Sequence, residues 1–298
     1  MSLTSEAAIQ QLRKELGTTL SHDPEANTEF CLKRFFDGAS GDYKEFKSRV
    51  EKHLQFRREN YKEAKASDYK ALAQKMEGMM EMGVYHHTRD GTPVIFQKFQ
   101  DFDPSTFDGN FTLEDLGRTM INSFERRQRI VFPIASETFG RKICKNIAVM
   151  DMEGVPLLKI MNSKYRDFAK FGSTFASANY PELLEAIYII NAPVVFKAVF
   201  SIVSLWLDEK TKRKIIIRSD NGESLFKSMM DEKHIPIQYG GKCTAKLSDH
   251  PGPWQKEFWQ SVEDRRFTMR DRSLETKWFF TQQEAARLAN PQPGDIYF

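Results

Sequence analysis

Cysteine is scarce in this 298-residue chain: there are three, Cys31, Cys144 and Cys243, odd in number and far apart. That excludes a disulfide framework and a zinc-finger arrangement, and points to a reduced, intracellular setting. An excess of one charge sign is also missing. Forty-four Lys+Arg against 41 Asp+Glu leave +3, too even for a dedicated binder of polyanions, so no nucleic-acid partner is expected. Nor is there an apolar run long enough to cross a bilayer. The greasiest stretch, Val194–Leu207, has eleven apolar residues in fourteen. As a helix it would rise about 21 Å against a hydrocarbon slab of about 30 Å. The opening Met1-Ser-Leu-Thr-Ser-Glu-Ala reads as a capped amphipathic helix without the basic-then-apolar plan of a secretory signal. A cytoplasmic protein is the expectation.

Catalytic signatures are lacking too. No GxSxG, GxGxxG, HExxH or CxxC pattern occurs. Gly240-Gly-Lys-Cys-Thr resembles part of a phosphate loop, but Cys243 stands where a hydroxyl is needed and the upstream glycine is replaced by Ile235. A turn after the last sheet element is the better reading. His86 and His87 are adjacent, and neighbours on a strand point to opposite faces. With no partner at ligand spacing they are not expected to hold a metal. The chain is read as a non-enzyme without metal or redox cofactor.

What is present is ordinary globular composition, 40% hydrophobic and 29% charged. Residues 1–75 carry apolar positions at helical spacing, among them Leu12, Leu16, Leu20, Leu32, Phe35, Val50 and Leu54, and predict an all-helical lobe with a helix from Tyr43 to Ala66. Beyond residue 92 short β-branched runs appear at 93–96, 147–150, 187–190 and 214–217, separated by helical patterns at 113–129, 162–178 and 194–207. Strands alternating with helices predict an α/β unit with a mixed or parallel sheet, over 76–245. Residues 246–298 form a C-terminal extension with a charged, aromatic tail. Tyr180-Pro-Glu182 reads as a helix start. Val194–Leu207 is either a central core helix or a lid, with Lys197, Ser201 and Ser204 as its thin polar stripe. Lys210, Lys212, Arg213 and Lys214 follow; on composition they read as a solvated surface, and beside a lid they would be close enough to reach lipid phosphates. Arg126, Arg127 and Arg129, with Arg141, Lys142 and Lys145, read as a solvated face. Phe168, Phe171 and Phe175 read as core packing.

Five stretches carry a resemblance. Asp90-Gly-Thr-Pro-Val, Val149-Met-Asp-Met-Glu-Gly154, the run from Asn179-Tyr-Pro-Glu to Ile-Ile-Asn-Ala-Pro193, Leu207-Asp208 and Pro236-Ile-Gln-Tyr-Gly-Gly-Lys242 occur in one order. Together they resemble the CRAL-TRIO lipid-binding family, in its phosphatidylinositol/phosphatidylcholine transfer branch, over residues 30–255. The resemblance implies a helical N-terminal lobe and a sheet flooring an apolar pocket for one phospholipid. It implies that the helix after the Asn-Ala-Pro turn is a gate, with Val194, Phe196, Val199, Phe200, Val203 and Trp206 its apolar residues.

By the same resemblance, Glu182, Thr211 and Lys214 match the positions that secure a phosphatidylinositol headgroup. Lysine supplies charge-assisted donors to phosphate, and the acid orients the lysine or contacts inositol hydroxyls. The family's N-terminal arginine falls on Ala39 and is missing. The positions that hold phosphocholine in relatives are here Val84, Ile95, Phe124, Asn146 and Ala148. That set has lost its tyrosines, so phosphatidylcholine is not expected to bind and a sterol or other neutral lipid is the expected counter-ligand. The implied protein is a monomer, peripheral on membranes, which transfers phosphatidylinositol or presents it to a lipid kinase. Two alternatives are a carrier of another hydrophobic ligand, and a lipid-responsive adaptor acting through Phe267–Phe280.

Overall fold

The computed structural model describes residues 3–77, 80–100, 102, 111–155, 163–263 and 273–298. Four helices open the chain: α1 (Ser5–Ser21), α2 (Glu29–Gly38), α3 (Tyr43–Ala66) and α4 (Tyr69–Glu77). Thr4, Thr28 and Asp42 cap the first three by accepting backbone N–H groups, the ordinary way to satisfy a helix start. Leu12, Leu20, Leu32, Phe35, Phe46 and Leu54 meet in the core of this lobe.

A five-stranded sheet follows, in the spatial order β1 (Glu81–His87), β2 (Pro93–Lys98), β3 (Asn146–Asp151), β4 (Leu184–Ile190) and β5 (Ile215–Ile217). β1 is antiparallel to β2 and every other pairing is parallel, so the sheet is mixed. The period of two along each strand divides the faces. Val94, Phe96, Ile147, Val149 and Ile190 pack with Phe226 of α10 (Glu223–Met229), while Ile95, Ala148, Met150, Ile187 and Ile189 floor a cavity on the opposite face. That cavity is roofed by α5 (Leu113–Arg126), α7 (Ser163–Asn179) and α8 (Phe196–Val203). Between α5 and α6 (Phe132–Phe139), the helix continues through a π turn at Arg127–Val131.

β1 was not among the expected strands, and its sequence explains why. Gly83 interrupts the apolar pattern because a Cβ there would lie 1.7 Å from the Leu247 carbonyl oxygen, so the strand is packed directly against backbone. A bulge between Val84 and His87, with His86 at φ 51°, also overturns the opposite-faces argument for the histidines. His86, His87 and His234 bring ring nitrogens within 4.8 Å of one another. His86 and His234 stack nearly parallel at 4.3 Å. Burial, then the two neighbouring rings, depresses His86 to about 4.

Two further expectations are corrected. Tyr180-Pro-Glu182 starts no helix: α7 ends at Asn179, and Pro181 and Glu182 form a turn leading into β4 at Leu184, with Glu182 at φ 59°. The arginine cluster is not a solvated face. Arg126 and Arg127 are buried and the Arg129 side chain is nearly so, because the continuous helix through the π turn is enclosed by β3, the helical lobe and the C-terminal segment. Arg141 alone of the four arginines is exposed, paired with Asp90 at 2.6 Å.

Residues after 246 return to the body of the protein. Trp254 and Phe258, around the start of α11 (Gln255–Glu263), are buried with Val84 and Phe132. α12 (Ser273–Phe279) is fixed to α6 by Lys277 and Trp278, both bonded to Glu137. α13 (Gln282–Ala289) reaches α1 through Glu284 and Arg13, and Phe298 is buried against Tyr61. Of the tail Phe267–Phe280, residues 267–272 lie outside the described residues.

Candidate ligand cavity

Between sheet and helices lies a cavity of 440 Å³, walled mainly by Met, Phe, Leu and Ile side chains. Its size and lining suit an apolar ligand with a few polar anchors. Phe168 of the phenylalanine series reaches its wall, while Phe175 packs edge-on against Phe56 at 5.4 Å in the core.

Glu182, Thr211 and Lys214 all line the cavity. The sharp turn at Glu182 swings its carboxylate toward β5, where Lys214 Nζ lies 3.2 Å from Oε2. Lys210 Nζ is 3.8 Å from the other oxygen. Asp208 caps the short helix α9 (Glu209–Arg213): it accepts Thr211 N–H at 2.8 Å and the Thr211 hydroxyl at 2.8 Å, which fixes that side chain at the rim. Pairing with Glu182 holds Lys214 in place while partial exposure leaves further donors for an oxyanion.

Sequence reading found no arginine from the N-terminal lobe at this rim, since Ala39 is buried and without a polar side chain. Arg49 of α3 nevertheless reaches the cavity, its Nη1 beside Gly38 and its Nε bonded to Glu45 at 2.7 Å. Gly38 itself is in close contact with Pro181, since a Cβ added there would lie 3.1 Å from the proline ring. A helical i,i+4 pair in α3 gave no hint that it would face a cavity some 130 residues further along the chain.

The second set of expected positions divides. Ile95, Phe124, Asn146 and Ala148 are on the wall. Val84 is not: it shares a face of the sheet with its register partner Ile95 but packs with Trp254 and Phe258, and Met82, two residues earlier, takes the wall position. Arg127 was missed as a wall residue. It lies beside Phe124 and Asn146 and gives this apolar part of the cavity a buried cation.

α8 and the turn Ser204–Trp206 cover the cavity with Phe196, Phe200, Val203 and Leu207. The outward side is open. Val194 is 88% and Leu205 77% exposed, and Val195 and Ile202 are exposed as well, so this is not a central core helix. Trp206 is half-buried, and the side chains of Lys197 and Val199 lie outside the described residues. The segment hangs between the Asn191-Ala-Pro193 turn, with Asn191 at φ 50°, and the Asp208 cap. Among the described residues no helix is long and apolar enough to cross a membrane.

A further polar seam lies between the two lobes. Arg57 is 2.5 Å from Asp23 and 3.0 Å from Glu25, and Arg129 is 2.6 Å from Glu25 and 3.0 Å from Glu125. Tyr61 and Tyr180 both donate to Glu125, at 2.6 and 3.1 Å. This network joins the loop between α1 and α2, α3, α5, the π turn and the residue after α7 around a much smaller polar cavity of 60 Å³.

Known proteins are similar to this chain in sequence and in fold. The Sec14 cytosolic factor of Schizosaccharomyces pombe is 30% identical over 182 residues, covering 59% of this chain and 63% of the relative. The phosphatidylinositol/phosphatidylcholine transfer protein SFH9 of Arabidopsis thaliana is 26% identical over 257 residues, 84% of this chain and 44% of the relative. The chain therefore spans less than two thirds of the length of either relative. The crystal structure of Sfh5 superposes with a TM-score of 0.61 at 16% identity, covering 88% of this chain and 98% of that one, which supports the fold. The sequence pattern of the CRAL/TRIO domain matches residues 79–241, and the chain belongs to that family.

Proposed function

We propose that this protein binds a single phospholipid, with phosphatidylinositol the favoured ligand, and moves it between membranes or presents it to a lipid-modifying enzyme. The observation that carries this reading is the placement of Lys214, Glu182, Thr211 and Lys210 at the rim of a largely apolar cavity. Acyl chains leave water for the apolar interior, and an anionic inositol-phosphate head meets the amines at the rim. The exposed Val194, Val195, Ile202 and Leu205 suit contact with a bilayer surface, where apolar side chains lose their cost of hydration. The helix that carries them is thereby the gate, opening where the cargo can enter.

Relatives with phosphatidylinositol/phosphatidylcholine transfer in their names support the same class of cargo. The test is transfer of labelled phosphatidylinositol between vesicles. Lys214→Ala removes a charge-assisted contact and should slow transfer about tenfold, given the usual strength of such bonds. An unchanged rate would sink the headgroup assignment and favour a carrier of another hydrophobic ligand. Tail-dependent recruitment of a partner is the less supported role, since α12 is already fixed to α6 through Glu137.

A further inference from the structure

Arg127 has no place in the headgroup rim, yet it is committed to the cavity wall. It is 9% exposed. Its Nε donates to the Ser123 carbonyl at 3.2 Å, its Nη1 donates to Asn146 Oδ1 at 3.1 Å, and its guanidinium carbon stands 4.0 Å over the Phe124 ring. Among the described residues no carboxylate lies within ion-pair distance of it, in contrast to Arg57 and Arg129. Burial alone pulls its proton affinity down, to about 10, so it stays charged at neutral pH. Asn146 adds an unmet donor: its Nδ2 is buried without a hydrogen-bond partner. Both residues line the cavity, and the bond between them holds the uncompensated cation beside that unmet donor.

An uncompensated buried cation beside an orphan amide is costly unless a ligand supplies negative charge and acceptor atoms. We propose that Arg127 and Asn146 form a second polar subsite in the cavity, which takes the compact anionic head of an acyl lipid, a carboxylate or a phosphate monoester. Such a head offers two or more oxygens to the guanidinium edge and the amide, while Ile95, Phe124 and Ala148 receive the adjoining chain. Phosphocholine fits poorly, because its quaternary ammonium would sit near a buried guanidinium. A sterol hydroxyl leaves the charge uncompensated, so the neutral counter-ligand expected from sequence is displaced by an anionic one. The inference rests on the reading of the cavity as a lipid pocket.

The experiment is native mass spectrometry of the full chain after incubation with vesicles containing equal phosphatidic acid and diacylglycerol, and separately equal oleic acid and oleyl alcohol. Each pair differs only in the anionic head. The wild type should favour the anionic member of at least one pair by about tenfold, and the pair that responds identifies phosphate or carboxylate as the head. Arg127→Leu should bring that ratio to about one. Asn146→Asp should do the same by giving Arg127 an internal carboxylate, and it carries the test should the leucine variant not fold. A wild-type ratio near one in both pairs, or a preference that survives both substitutions, overturns the proposal and leaves Arg127 a structural group satisfied by water. Failure of the wild type to retain any of these lipids, and phosphatidylinositol in a third incubation, sinks the pocket reading itself and this subsite with it.

Discussion

Arg127 and Arg129 stand two residues apart in one π turn, and their surroundings differ in kind. Arg129 faces the seam between the lobes, where Glu25 and Glu125 receive it at 2.6 and 3.0 Å. Burial pulls its proton affinity down, but the two carboxylates outweigh burial and hold it above the ordinary arginine value. Arg127 faces the ligand cavity, and its contacts are a carbonyl, an amide and a ring. One buried guanidinium is balanced within the protein and the other is not. The lesson is that burial of charge does not by itself mark a structural or a functional group; the presence of an internal counter-charge separates them. The π turn makes the division possible, because its wider winding changes the angular relation between successive side chains.

The comparison is open to direct attack. Its largest expected effect is on stability. Arg129→Ala leaves Glu25 and Glu125 buried with fewer donors and should destabilise by about 3–5 kcal/mol in urea unfolding. Arg127→Leu removes an uncompensated charge and should stay within about 1.5 kcal/mol of wild type. Equal losses at the two sites would erase the distinction.

Acid tests the seam from another side. Burial, then the field of Arg57, holds His53 well below its ordinary value, and burial, then Arg126, holds His250 at about 3. With His86 at about 4, three imidazoles remain neutral in the native state where the unfolded chain, near 6.5, takes up protons. The stability they contribute is full above about pH 6.5 and falls as pH drops toward 4, by up to about 1.4 kcal/mol per pH unit for each proton. Urea midpoints at pH 7.5, 5.5 and 4.5 should decline in that order. His53→Asn should flatten the decline, and an unchanged slope would remove His53 from the account.

The smallest effect is expected on the outer face of α8. Val194→Ser with Leu205→Ser should alter stability by no more than about 0.5 kcal/mol per site, since both side chains are already in water. Vesicle association, followed by co-sedimentation, should weaken several-fold. Normal association would show that the exposed apolar face is not the part that meets the bilayer.

Much of the architecture could be read from residue order. Apolar spacing and the cap residues Thr4, Thr28 and Asp42 are local signals, and the helical lobe follows from them, including α3 at Tyr43–Ala66. Four of the five strands announced themselves as β-branched runs. β1 did not, because Gly83 serves a contact with the backbone of Leu247, more than 160 positions away. The motif order led to the family and to Glu182, Lys214 and Thr211, which the fold gathers at one rim. Tyr180-Pro-Glu182 misled because proline and an acid suit a helix start as readily as a turn.

Sequence alone determined the elements that local propensity and period specify, and the family motifs carried along them. Tertiary structure decided what long-range proximity specifies. It brought His234 to His86 and His87, Arg49 to the rim and Met82 rather than Val84 to the wall. It also turned an arginine-rich stretch from a solvated face into one paired seam and one unpaired cavity wall. Charge and hydropathy record what a side chain is, but its energy depends on the counter-charges and solvent that only the folded chain places around it.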